Sequence, residues 1–167
     1  MCDTSFCKEL LLYHNALIGD VGAQALAEVL HPDRWPSGRG LKTLSLAACS
    51  IGDAGCQALM AAVREYQALT SLDLSCNAIT DDSTPAVALV LAQSNSSLEA
   101  LSLSMNLISS YGISQLMDGV ASNPEGALCQ IDVSTQDGGQ SKTSFVANDA
   151  LSPRSSSKVK SKFAGLR

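Results

Sequence analysis

Leucines recur along most of this chain at a fixed spacing: Leu41, Leu44 and Leu46, then Leu69, Leu72 and Leu74, then Leu98, Leu101 and Leu103. Each LxxLxL triplet is followed by a small polar residue (Cys49, Asn77, Asn106) and, two positions on, by an isoleucine (Ile51, Ile79, Ile108). The triplets start 28 and 29 residues apart, which marks a stack of repeated supersecondary units. An earlier copy aligns through Cys7, Leu10, Leu12 and Asn15, with one extra residue before Ile18. A fifth begins at Leu128, Ile131 and Val133, with Gln136 where Asn is expected.

The period within each unit changes from two to about 3.6, so each unit contains a strand and then a helix. Leu44 and Leu46 face one side of a short strand and Ser45 the other. Asn15, Asn77 and Asn106 offer a donor and an acceptor to the backbone of the following turn, and Cys49 fills the same place with a weaker donor. Behind each turn the apolar positions adopt helical spacing, as in Cys56, Leu59, Met60 and Val63 within 53–63. Residues 20–30 repeat that arrangement, and Asp82, Ser83 and Thr84 with Pro85 open a third helix. No unit buries its strand and helix alone, so neighbours must stack.

The expectation is an α/β leucine-rich-repeat solenoid over residues 7–137, with short parallel strands on the concave face, helices on the convex face and about 4–5 repeats. Two stretches break the period. One is the loop 31–40, with Pro32, Pro36 and the single tryptophan, Trp35; the other is 138–167, rich in Ser, Lys and Gly and read as a disordered basic tail.

The LxxLxLxxN unit with its following Ile, Asp and Gly and a full helix resembles the ribonuclease-inhibitor-like leucine-rich-repeat family. That resemblance implies the fold and little about function, because its members share architecture while differing in task. The segment 15–23, the tryptophan loop, and the ladder through Leu44, Leu46, Cys49, Leu72 and Leu74 are similar, more narrowly, to the centrosomal 78 kDa leucine-rich-repeat family. This likeness implies a docking surface in centrioles or basal bodies; the coiled coil expected of that family is absent from these residues.

Composition agrees with many small layers: 46 % of residues are hydrophobic but only 4 % aromatic, so leucine, alanine, valine and isoleucine must fill the core. Charge divides the chain into an acidic body, net −10 over residues 1–138, and a basic end, net +5 over 139–167. An acidic body argues against a nucleic-acid face, which needs clustered Lys and Arg. No basic stretch leads into an apolar run near Met1, and no apolar run reaches bilayer length, so a cytoplasmic chain with reduced cysteines and no membrane partner is expected.

Chemistry-bearing constellations are scarce. Cys2, Cys7, Cys49, Cys56, Cys76 and Cys129 form no CxxC pair, and His14 and His31 lie on different segments. No GxSxG elbow, phosphate loop or HExxH helix occurs, which points to a chain that is no enzyme and has no cofactor or metal. The candidate site is therefore the concave strand face, where a protein partner would meet Glu9, Leu11 and Tyr13; Thr43, Ser45 and Ala47; Ser71, Asp73 and Ser75; and Ala100, Ser102 and Ser104. Tyr13 is the one aromatic anchor there. Three roles fit such a face: a cytoskeletal or centrosomal scaffold, a segment of an immune-receptor-like protein, or a GTPase-activating module using Arg34 or Arg39 beside Trp35. In the tail, the basic run at 158–162 and Ser152 before Pro153 are short motifs common by chance. The ends are poorly covered, with only Thr4, Ser5 and Phe6 near the first strand, so the expectation is either a fragment of a longer protein or a chain that self-associates through an open end, around Leu10 and Leu12.

Overall fold

The computed structural model describes residues 7–35, 40–93, 97–123, 130–134 and 144–146. Five strands, β1 (Glu9–Leu11), β2 (Thr43–Ser45), β3 (Ser71–Asp73), β4 (Ala100–Ser102) and β5 (Gln130–Asp132), lie side by side in chain order, each parallel to the next. Their register aligns Leu10, Leu44, Leu72, Leu101 and Ile131 in one row. The ladder continues past the strand ends through bonds such as Leu46 N–H to Asp73 C=O and Leu74 N–H to Ser102 C=O, 2.8 and 2.9 Å.

Helices α1 (Gly19–Val29), α2 (Asp53–Glu65), α3 (Thr84–Leu91) and α4 (Ser110–Ala121) return the chain behind the sheet. In α2 the stripe Cys56, Leu59, Met60 and Val63 is buried against Leu44, Leu46, Leu72 and Leu74, as the helical spacing requires. Only Ala23 is fully buried in α1, because nothing among the described residues covers its outer side. The third helix starts at Thr84 with Pro85 in its first turn, preceded by a 3-10 turn, Asp81–Ser83. Thr80 caps that turn, accepting from Asp82 N–H, while Ser83 turns its hydroxyl towards Asp53.

The loop after α1 folds back over the helix end. Trp35 Nε1 donates to Val29 C=O at 2.8 Å, and its ring lies 6.1 Å from that of Tyr66. Tyr66 Oη donates to Leu41 C=O at 3.3 Å, and burial pushes this phenol's pKa up. A Cβ on Gly40 would stand 1.9 Å from Tyr66 Oη, so a side chain there would have to displace the phenol from its place. Arg34 is exposed at the end of a 3-10 turn, Pro32–Arg34.

A sixth strand, β6 (Ser144–Val146), pairs antiparallel with β5, with Phe145 opposite Ile131. It lies inside 138–167, where the sequence carries no periodic signal; a three-residue antiparallel edge needs none, since its bonds are all backbone. The rest of that segment, with the 158–162 run and Ser152, lies outside the described residues, as do Cys2, Arg39, Leu128, Cys129 and Gln136.

Candidate functional site: the open face of the sheet

One side of the sheet packs on the helices, so alternate strand residues face away from them. They form three rows. Glu9, Thr43, Ser71, Ala100 and Gln130 make the first; Leu11, Ser45, Asp73, Ser102 and Asp132 the second. Tyr13, Ala47, Ser75, Ser104 and Ser134 make the third, tied by bonds such as Ala48 N–H to Ser75 C=O and Cys76 N–H to Ser104 C=O, both 2.9 Å.

Leu11 and Tyr13 are the large apolar groups here, each about half exposed. Thr43, Ala47, Ser71, Ser75, Ala100, Ser102 and Ser104 are partly exposed. Ser45 is not open to a partner: it is 8 % exposed, and its hydroxyl donates to Asp73 Oδ2 at 3.2 Å. Asp73 Oδ1 accepts from Ser75 N–H at 3.0 Å and Ser75 Oγ at 2.6 Å, which fixes the carboxylate on the sheet. Asp132 Oδ1 accepts from Ser134 N–H at 3.1 Å in the same way. Glu9, Asp73 and Asp132 carry negative charge, and no position of the three rows is Lys or Arg. The fifth strand's Gln130, Asp132 and Ser134 were not among the sequence candidates, although Ile131 and Val133 on either side of Asp132 signal its outward direction.

Behind this face two side-chain ladders tie each repeat to its neighbour. Asn77 Nδ2 donates to the carbonyls of Leu46, Leu74 and Ser75 at 2.9, 3.0 and 3.1 Å, and its Oδ1 accepts from Cys49 N–H and Ile51 N–H, both at 3.0 Å. Asn106 repeats this towards Leu74 C=O and Ile79 N–H, at 2.9 and 3.1 Å. Cys49 donates its thiol to Leu12 C=O at 3.1 Å. The bonds of Asn15 stay within its own turn.

The second ladder was missed from sequence and is made of aspartates. Asp20 Oδ1 accepts from Gly52 and Gly55 N–H at 2.8 and 2.9 Å, and so holds the start of the next repeat's helix. Asp53 accepts from Thr80 N–H at 2.9 Å, from Thr80 Oγ1 at 2.7 Å and from Ser83 Oγ. Asp81 accepts from Ser109 N–H at 2.8 Å and from Ser109 Oγ. The signal was present as an aspartate two residues after Ile18, Ile51 and Ile79. Burial pushes the Asp53 carboxyl up, but hydrogen bonds from Ser83 and Thr80 outweigh it and hold the group below its ordinary range.

The described cysteines are free. Burial, with Asp53 and Asp20 nearby, pushes Cys56 up to about 12 against an opposing bond from Ser83, which keeps it a thiol rather than a nucleophilic thiolate. Cys49 is buried in its ladder place, and exposed Cys76 lies 3.4 Å from Met105 Sδ. Among the described residues no three His, Cys, Asp or Glu side chains cluster to hold a metal, and no helix is long and apolar enough to cross a membrane.

In-register parallel strands, return helices and an asparagine ladder define a leucine-rich-repeat solenoid, and that is what this chain is. The family described as Leucine Rich repeat matches residues 8–27, 41–60 and 67–83. Over 76 residues, 46 % of the chain, the sequence is 40 % identical to the Centrosomal protein of 78 kDa of Xenopus tropicalis and 36 % identical to that of Homo sapiens. The chain spans only 10 % of the length of either. Among solved structures, Leiomodin-1 Actin-Binding Site 2 superposes with a TM-score of 0.63 at 18 % identity, covering 78 % of this chain and 71 % of that one. The tropomodulin C-terminal domain of Caenorhabditis elegans gives 0.61 at 16 % identity, covering 98 % and 92 %. At these identities the two structures establish the fold alone.

Proposed function

We propose that this chain is a non-catalytic protein-interaction module of an intracellular scaffold at the centrosome or cytoskeleton, and that the open sheet face receives the partner. The observation that carries this reading is the face itself: three carboxylates without a cation in its rows, hydroxyls between them, and Leu11 and Tyr13 exposed at one end. Such a surface suits a partner segment with basic side chains and one apolar anchor. The likeness to the Centrosomal protein of 78 kDa supports the location.

Capture from cells followed by mass spectrometry tests it, with the parent chain run beside Tyr13→Ala and Asp132→Lys. Centrosomal or microtubule-associated proteins retained by the parent and lost from both variants are the expected result. Retention of the same proteins by all three chains would move the interface elsewhere. Capture of a small GTPase, or of a nucleotide-binding receptor, would replace the scaffold reading with the GTPase-activating or the immune-receptor one.

A further inference from the structure

Charge is spread unevenly along the open face. Lys8 and Lys42, the residues just before β1 and β2, flank Glu9, so that end carries both signs. Across β3, β4 and β5 the charged side chains are Asp73, Glu99 and Asp132, all carboxylates. Glu99 directly precedes β4 and is exposed, while Asp73 and Asp132 are partly exposed in the second outward row. The hydrogen-bond partners of the two aspartates are Ser45, Ser75 and Ser134, which are neutral.

Strand β6 brings the following residues of the chain to that same half. It runs antiparallel to β5 with Val146 opposite Gln130, whose N–H donates to Glu99 C=O at 3.0 Å. The chain therefore leaves β6 at the strand-start side of the sheet, one strand from Glu99. Residues 154–162 carry Arg154, Lys158, Lys160 and Lys162 and no carboxylate. Eight residues separate Val146 from Arg154, up to about 28 Å of extended chain, against about 19 Å for the width of five strands. Lys158, Lys160 and Lys162 alternate with Val159 and Ser161, a spacing that puts three ammonium groups on one side of an extended backbone.

We propose that residues 154–162 of this same chain dock across the β3–β5 half of the open face, their cations against Asp73, Glu99 and Asp132, so that a basic partner has to displace them. The contact itself stands on charge and connectivity; only its effect on a partner rests on the reading of the face as a partner site. Exposed ion pairs are individually weak, and the tether offsets this by holding four cations at high effective concentration. A second copy brings the same cations only at its bulk concentration. A partner that adds an apolar anchor at Leu11 and Tyr13, outside the covered half, displaces the segment.

Zero-length carbodiimide coupling, which joins a lysine to a carboxylate in contact with it, tests the proposal on an equal mixture of isotope-labelled and unlabelled full chains, with peptide mapping by mass spectrometry. Links from Lys158, Lys160 or Lys162 to Asp73, Glu99 and Asp132 within one chain are expected. In Glu99→Lys, which should melt with the parent because Glu99 is exposed, the links to the intact Asp73 and Asp132 should fall about threefold or more, as they should on raising the salt. No partner enters this measurement, so its failure leaves the partner reading of the face standing; loss of that reading through Tyr13→Ala and Asp132→Lys likewise leaves the intrachain contact standing. Coupling as strong to Glu28, Glu65 and Asp118, which are exposed on the helices, would overturn the proposal. Links found only between labelled and unlabelled chains would overturn it too, since the face would then receive a second copy.

Discussion

Asn77 shows how one side chain supports two repeats, since its five hydrogen bonds include three to the repeat before it. Asn77→Ala leaves those backbone groups unpaired and should cost about 1–3 kcal/mol in denaturant unfolding, more than Asn15→Ala, which loses bonds only within its own turn. Asp53 gives a pH signature. Its folded pKa lies below the ordinary 3.8, so its contribution is complete above that value and is lost as pH falls through the lowered one. Asp53→Asn should therefore be less stable than the parent at neutral pH, with the gap narrowing in strong acid; a gap independent of pH would show that the ionised form is not what holds Thr80 and Ser83. The asparagine ladder was legible because the residue recurs at one place in each unit. The aspartates recur just as regularly, two residues after Ile18, Ile51 and Ile79, but Asp20 and Asp53 were read only within their helices and Asp81 was passed over for Asp82, because the partners that reveal their role lie in the next repeat. The turn residues His14, Ala48, Cys76 and Met105 share a left-handed φ of 54–60°, yet none is Gly, and only His carries a mild local preference for that region. Stacking bonds such as Ala48 N–H to Ser75 C=O hold that conformation, so sequence reading had little to find.

At the scale of elements, strands and helices followed from two periods that do not overlap within a unit. The switch from LxL to the stripe Cys56, Leu59, Met60 and Val63 located β2 and α2 directly. Helix contacts were less visible, because they depend on small residues that carry no hydrophobic signal. Gly119 in α4 is such a residue: a Cβ there would stand 2.7 Å from Ala88 C=O and 2.9 Å from Ala88 Cα in α3. Gly119→Ala favours helix locally but pushes α4 off α3, so the melting temperature should fall, by about 1–3 kcal/mol of stability, while helical circular dichroism is kept. An unchanged or raised melting temperature would mean that the two helices have room to spare. Ser45 is the opposite case on the candidate face: alternation turns it away from the helices, yet it is buried and its hydroxyl is bonded to Asp73.

The whole molecule is a stack with one packed side and one open side. The helix side and the two ladders hold repeat to repeat, and each layer gains its core from its neighbours. The open face contributes little to that core and is free to carry charge, hydroxyls and the exposed Leu11 and Tyr13. On the proposed function, folding and recognition fall to different residues of the same short strands. Amide hydrogen exchange, measured on the chain alone and with its captured partner, tests that division most directly. The account predicts that partner-induced protection concentrates in 9–13, 43–47, 71–75 and 100–104 and leaves the solvent side of α2, α3 and α4 unchanged. Protection confined to those helices, with the strand segments unaffected, would contradict it.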